Sequence, residues 1–287
     1  MKSREEYIKD LKIKFDNEKW ENPETVKNSY FDFLNSENDL AVKLIPNKNK
    51  AKLGESKIGG TPDLPKDMEW PVFEGKAMVF LAQLNLSEVA LHHNHELLPK
   101  DGILYFFVYF PEPVNQYGAC FDFILPKENY KILYYNRDIS ELKSMDFPDT
   151  LIPEYQFEDS LVTFKSFFEI PSDIYAYTEW QEEEDLSYND NDHVIKFHQN
   201  ILKTFETIQI LGTPLPVQDF VSSDWAYTYI EHEESNEDEE ELEADFVNLL
   251  SLPIFSKIGD SIGYFGIRKG DLIAKKFEKT VFIMQGS

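Results

Sequence analysis

The heptapeptide Phe80-Leu81-Ala82-Gln83-Leu84-Asn85-Leu86 has a looser counterpart in Phe246-Val247-Asn248-Leu249-Leu250-Ser251-Leu252. The same ordered residues flank both. Gly60-Thr61-Pro62 precedes the first and Tyr105-Phe106 follows it, whereas Gly212-Thr213-Pro214 precedes the second and Tyr264-Phe265 follows it. The stretch from Pro214 to Phe246 is longer than that from Pro62 to Phe80, and the excess coincides with an acidic run. The stretch from Phe80 to Tyr105 is in turn longer than that from Phe246 to Tyr264, and it holds a His-containing loop. Both differences fall in loops, which lengthen at small entropic cost. The pattern reads as a diverged internal duplication of a β-rich unit, with pseudo-repeats at about 54–136 and 208–287.

From about residue 41 to 171, short aromatic and β-branched runs are punctuated by Pro and Gly, which favours an antiparallel meander over βαβ units. Strands are expected over 78–86, 103–110, 121–125, 131–136 and 161–170, and later over 246–252, 262–267 and 281–284. The first forty residues read as helical. Asn22-Pro23 resembles a cap with proline at the first helical position, and Val26, Tyr30, Phe33 and Leu34 recur on one face. A weaker helix precedes it, with Ile8, Leu11 and Phe15. Asp190-Asn191-Asp192 caps a helix whose stripe of Val194, Phe197, Ile201, Phe205 and Ile208 is expected to cover a sheet, and a short helix is expected over 271–277. The fold class is therefore α+β, a mainly antiparallel sheet with covering helices. Residues 1–40 form a helical segment packed on a single domain at 41–287.

Fifty-three acidic residues against 28 basic ones give a formal charge of −25. A field of that sign repels phosphate backbones and anionic lipid, which argues against nucleic acid and membrane partners. The opening residues lack the apolar core of a signal peptide, no apolar run reaches spanning length, and the lone Cys120 has no internal disulfide partner. Cytoplasm is the expected address.

The blocks Ile58-Gly59-Gly60-Thr61-Pro62-Asp63-Leu64-Pro65, Trp70-Pro71, the 80–86 heptapeptide, the segment 98–107, and 259–285 together resemble the YwqG-like family, also called domain of unknown function 1963. The second copy departs from the pattern where Leu249 stands in the place of Gln83. The resemblance implies an aromatic-rich α+β fold of cytoplasmic bacterial proteins without an assigned reaction. Some relatives accompany secreted toxins, which implies an immunity-like or regulatory binding role.

No complete catalytic set stands out. His92, His93 and His95 are spaced for a metal on an extended segment, but no fourth ligand type completes the set, so no metal or cofactor is expected. His193 and His198 are five apart, not the i, i+4 spacing of a helical pair. Cys120 enters an aromatic strand with no base nearby, the reading of a small buried hydrophobe. A phosphate cradle and an EF-hand are both missing. The contiguous acids Glu233, Glu234, Glu237, Asp238, Glu239, Glu240 and Glu241 read as a solvated loop or as a landing patch for a basic partner. Gln83, inside an apolar strand, and Gln218 need hydrogen-bond partners if buried, and with Trp70 and Asp260 they are the ligand-binding candidates. The expected function is binding of a basic protein partner. The alternative is a small-molecule binder or enzyme with a cleft between the two pseudo-repeats, recognisable by convergent polar groups.

Overall fold

The computed structural model describes residues 4–36, 40–93, 96–110, 124–168, 187–202, 208–218, 220–254 and 261–286. The chain divides into two compact units, one of residues 1–40 with 167–206 and one of residues 41–166 with 207–287.

The smaller unit is helical. Helices α1 (Arg4–Asp16) and α2 (Pro23–Ser36) pack with α4 (Tyr188–Leu202) around a core of Leu11, Phe15, Val26, Tyr30, Leu34, Val194, Phe197 and Ile201. Of the stripe expected to cover a sheet, Val194, Phe197 and Ile201 lie in this helical core, Ile208 packs against the core of the larger unit, and Phe205 lies outside the described residues. Phe15 organises it, stacking on Trp20 at 4.2 Å and meeting Phe197 edge-on at 5.4 Å. Asp190, in the first turn of α4, accepts the backbone N–H groups of Glu21 and Asn22 at 2.8 and 2.9 Å, so the loop entering α2 is pinned by a carboxylate. Inside the core the Tyr30 hydroxyl meets Nδ1 of His198 at 2.9 Å.

The larger unit is built on a ten-stranded sheet in the order β14-β13-β12-β11-β1-β10-β2-β6-β7-β8. The strands are β1 (Leu40–Asn47), β2 (Lys57–Ile58), β6 (Val79–Asn85), β7 (Ile103–Val108), β8 (Tyr130–Tyr135), β10 (Ser160–Phe168), β11 (Gln209–Ile210), β12 (Phe246–Ile254), β13 (Ser261–Arg268) and β14 (Val281–Gln285). Two small ladders flank it, β3 (Asp63–Pro65) with β9 (Leu142–Ser144) and β4 (Val72–Phe73) with β5 (Lys76–Ala77). Every described pairing is antiparallel. Short runs ending in turns and buried on both faces, such as Val79–Asn85 and Ile103–Val108, explain the near-continuous apolar texture. The expected strand at 121–125 falls largely outside the described residues.

The two ends of the sheet share several local features. The order from β14 to β11 mirrors that from β8 to β2 about the β1–β10 pair. The β6–β7 ladder is interrupted at Leu81 and the β12–β13 ladder at Leu249, each one residue beyond register. Gly59 and Gly60 both have positive φ (71° and 70°), and so do Leu211 and Gly212 (63° and 64°). Tyr105 donates its hydroxyl to the carbonyl of Asp63 at 2.7 Å, and Tyr264 donates to that of Leu215 at 2.8 Å, each acceptor being the residue after a Gly-Thr-Pro. Across the ladders Lys57 faces Gln83 and Gln83 faces Tyr105, while Gln209 faces Ser251 and Ser251 faces Tyr264. The residue in the place of Gln83 is therefore Ser251, not Leu249, which occupies the bulge.

Phe106 and Phe265 meet at 5.0 Å, and Phe265 meets Phe282 at 4.5 Å, within a core shared by strands of both halves. Aromatic packing thus joins the two halves at this point.

The long interval before β12 holds two helices rather than a loop, α5 (Val221–Glu233) and α6 (Glu239–Glu243). Trp225 fixes α5 to the sheet: its indole N–H donates to the Tyr264 carbonyl at 3.2 Å, and its ring lies where a side chain at Gly266 would be. The remaining described helices are α3 (Leu86–Val89) and α7 (Lys269–Ile273), the latter within the region expected to be helical.

Candidate functional site

Lys57 and Asp63 are a buried ion pair, with Nζ 3.0 Å from Oδ1 and side chains 6% and 2% exposed. Their neighbours are set by the register just described. Gln83, on the strand next to Lys57, turns its amide toward Asp63: Oε1 accepts the Asp63 backbone N–H at 2.9 Å, and Nε2 donates to Asp63 Oδ2 at 2.8 Å and to the Glu55 carbonyl at 2.8 Å. The Gly54 N–H also donates to Oδ2, at 2.9 Å. Tyr105, one strand further, closes on the Asp63 carbonyl, and burial raises its phenol well above the ordinary tyrosine range. A neutral phenol is the form that can donate this bond.

The loop around this pair is secured as well. The Asn85 amide donates to the Gly54 carbonyl at 2.9 Å, and the Asn85 N–H donates to the Ser56 hydroxyl at 2.8 Å. Asp63 thus has both oxygens engaged and its backbone N–H and C=O held. Lys57 is in the opposite condition. An ammonium carries three donors, and among the described residues one of them has a partner, Asp63.

Beside the pair lies a cavity of about 670 Å³, walled by Lys57, Asp63, Thr61, Phe147, Phe157 and Asp159 among others, with the exposed Lys48 and Lys50 also on its lining. Its outer wall is segment 156–159, which closes on the Gly59-Gly60 turn through the Gly60 N–H donating to the Phe157 carbonyl at 3.1 Å. A Cβ on Gly60 would stand 2.5 Å from that of Asp159, so glycine allows both the left-handed turn and the close approach.

Of the residues singled out from the sequence, Gln83 lies in this network. Trp70 does not: it is buried against Phe80 and Phe107, with its N–H on the Met78 carbonyl at 2.8 Å. Gln218 is exposed, and its backbone N–H donates to Gln285 Oε1 at 3.3 Å. Asp260, His95 and Cys120 lie outside the described residues. His92 is half-buried beside Phe164, His93 is buried, and no group of three or more His, Cys, Asp or Glu able to hold a metal ion occurs among the described residues. Lys57 and Asp63 were missed as a pair. Asp63 sits in a recognisable block, yet nothing in sequence signals that a lysine six residues earlier turns inward toward it.

The acidic run is helical at both ends and partly neutralised. Glu233 pairs with Lys279, and Glu237 holds Arg268 through two bonds of 2.9 and 3.0 Å, which lowers the Glu237 carboxyl below its ordinary range. Asp238 caps α6 by accepting the N–H groups of Glu240 and Glu241, Glu239 accepts the Ser223 hydroxyl at 3.3 Å, and Glu234 ends α5 in a left-handed conformation.

The family model described as Domain of unknown function (DUF1963) matches residues 56–286. The chain belongs to this family. No curated protein matches it significantly. The DUF1963 match begins at Ser56, so Lys57, Asp63, Gln83, Tyr105 and most of the cavity wall fall inside it, whereas Lys48 and Lys50 precede it. No helix among the described residues is long and apolar enough to cross a membrane.

Proposed function

We propose that the protein binds a small polar molecule in the cavity beside Lys57 and Asp63, and that the bound molecule offers an oxygen to the Lys57 ammonium. One observation carries this reading. A lysine side chain 6% exposed spends one donor on protein among the described residues, at the wall of a cavity of about 670 Å³. Unmatched donors in a poorly hydrated place are costly, and a ligand oxygen relieves that cost.

The comparison of the two halves supports it. The second half keeps the bulge, the left-handed turn and the tyrosine bond with Gln209, Leu215 and Ser251 where the first has Lys57, Asp63 and Gln83. The architecture is satisfied by uncharged residues there, so a charged pair in the first half serves something other than architecture. The same correspondences support the proposal that the β-rich unit arose by duplication. Binding without catalysis fits an Asp63 carboxylate with both oxygens already engaged.

The test is a thermal-shift screen of polar metabolites against the wild type and the double variant Lys57→Gln/Asp63→Leu, which copies the second half. A compound that stabilises the wild type and leaves the double variant unmoved supports the proposal. Equal shifts in both proteins, or no compound shifting the wild type, overturns it.

A second reading, contact with a basic protein partner, is favoured by the −25 charge and by the exposed Glu240 and Glu241 of α6, which have no side-chain partner among the described residues. A cytoplasmic address fits the single cysteine. Capture of a basic protein at low salt, released at high salt and lost in Glu240→Gln/Glu241→Gln, tests this.

A further inference from the structure

Two groups on the cavity wall have complementary capacities left over. Deep in the wall, Lys57 has donors unspent on protein among the described residues, while the buried carboxylate beside it, Asp63, is engaged by Lys57, Gln83 and the Gly54 N–H. Toward the outside stands Asp159, half-buried, with no hydrogen bond or ion pair among the described residues. Its place is not accidental: the left-handed Gly60, whose absent Cβ leaves room for Asp159, brings segment 156–159 against the turn. The same wall also carries the apolar rings of Phe147 and Phe157.

From this we infer that the ligand is a zwitterion, an amino acid or another small aminocarboxylate. Its carboxylate meets Lys57 and its ammonium meets Asp159. The inference rests on the small-ligand reading above and specifies its chemistry. The exposed Lys48 and Lys50 on the same lining add positive charge that favours entry of a carboxylate end, and Asp159 supplies the site for an ammonium end. A simple cation would find Asp159 but would leave the Lys57 donors unmatched and set like charges facing one another.

The experiment is calorimetry with phenylalanine, 6-aminohexanoate and glycylglycine as zwitterions of increasing charge separation, and with 3-phenylpropionate and hexylamine as single-charge controls. At least one zwitterion is expected to bind about tenfold or more tighter than either control, as a second charge-assisted hydrogen bond provides. Asp159→Asn should bring that zwitterion to the level of the carboxylate control while leaving the control itself unchanged. Lys57→Gln/Asp63→Leu should abolish both, and circular dichroism on this variant separates lost binding from lost folding. A carboxylate that binds as tightly as every zwitterion, or an Asp159→Asn variant that discriminates as the wild type does, overturns the zwitterion assignment and leaves the small-ligand proposal standing. Failure of every probe overturns the assignment too, and if the metabolite screen also fails, the cavity reading falls with it.

Discussion

Asp63 lies 3.0 Å from the Lys57 ammonium and is its sole partner among the described residues, although the ammonium is almost entirely removed from water. Removing one member of such a pair leaves an uncompensated charge in a poorly hydrated place, whereas removing both need not. Asp63→Asn is therefore expected to lower stability by about 3–5 kcal/mol. Lys57→Gln/Asp63→Leu should recover most of that loss. Urea unfolding of the three proteins checks the order; a double variant less stable than Asp63→Asn would contradict it.

Gly60 and Gly75 separate strain from crowding. Both have positive φ (70° and 76°), but a Cβ on Gly60 meets Asp159 at 2.5 Å whereas one on Gly75 meets nothing within 4 Å. Gly75→Ala should cost about 1 kcal/mol, the strain of a left-handed residue alone. Gly60→Ala should cost about 1–3 kcal/mol more, because the 156–159 segment must move, and it should weaken any ligand of the cavity. Denaturation midpoints of the two variants side by side give the difference.

Lys127 makes the alkaline limb of stability informative. Burial lowers its ammonium to about 8 from an ordinary 10.5, while its Nζ donates to the Thr280 carbonyl at 2.9 Å. From about pH 8 the folded chain sheds this proton, while the unfolded chain keeps it until about pH 10. The unfolded state then binds more protons, so this residue's contribution rises with pH across that window. Nearer pH 10 the buried phenols of Tyr105, Tyr130 and Tyr264, all raised by burial, begin to act in the opposite sense. Melting curves of wild type and Lys127→Met should show the wild type gaining on the variant between pH 7.5 and 9.5. A constant gap would refute the assignment.

Gly266 is the seat of Trp225, with the indole Cδ2 only 2.3 Å from where a Cβ would stand. Gly266→Ala should displace α5 from the sheet, with a loss of about 1–3 kcal/mol and a change in tryptophan fluorescence. Gly270→Ala, which meets nothing within 4 Å, is the silent control.

The sequence made strands at 78–86, 103–110 and 246–252 legible because short aromatic runs between turn residues have few other solutions, and Pro23 announced its helix. Helix α5 is not legible in the sequence, for a physical reason. Val221 and Trp225 are one turn apart and face the sheet, but Tyr227 and Ile230 fall off that stripe and the acids that follow mask the period. Counting along the chain puts Leu249 opposite Gln83 because it cannot detect the residue that a bulge adds; hydrogen-bond register puts Ser251 there instead. Gln83 is legible in the sequence because an amide inside an apolar strand must be satisfied if buried. Its partner Asp63 and the lysine it neutralises depended on a turn that only coordinates reveal.

The mirrored strand order has a bearing on how the β-rich unit assembles. The β6–β7–β8 and β12–β13–β14 meanders each pair neighbours in sequence, so closing them costs less chain entropy than a pairing across the whole unit. The central junction is of another kind, for there Val42 must find Ile210. Contact order therefore predicts that this seam closes last, and a strand edge left open until then is a place where a second molecule can pair instead.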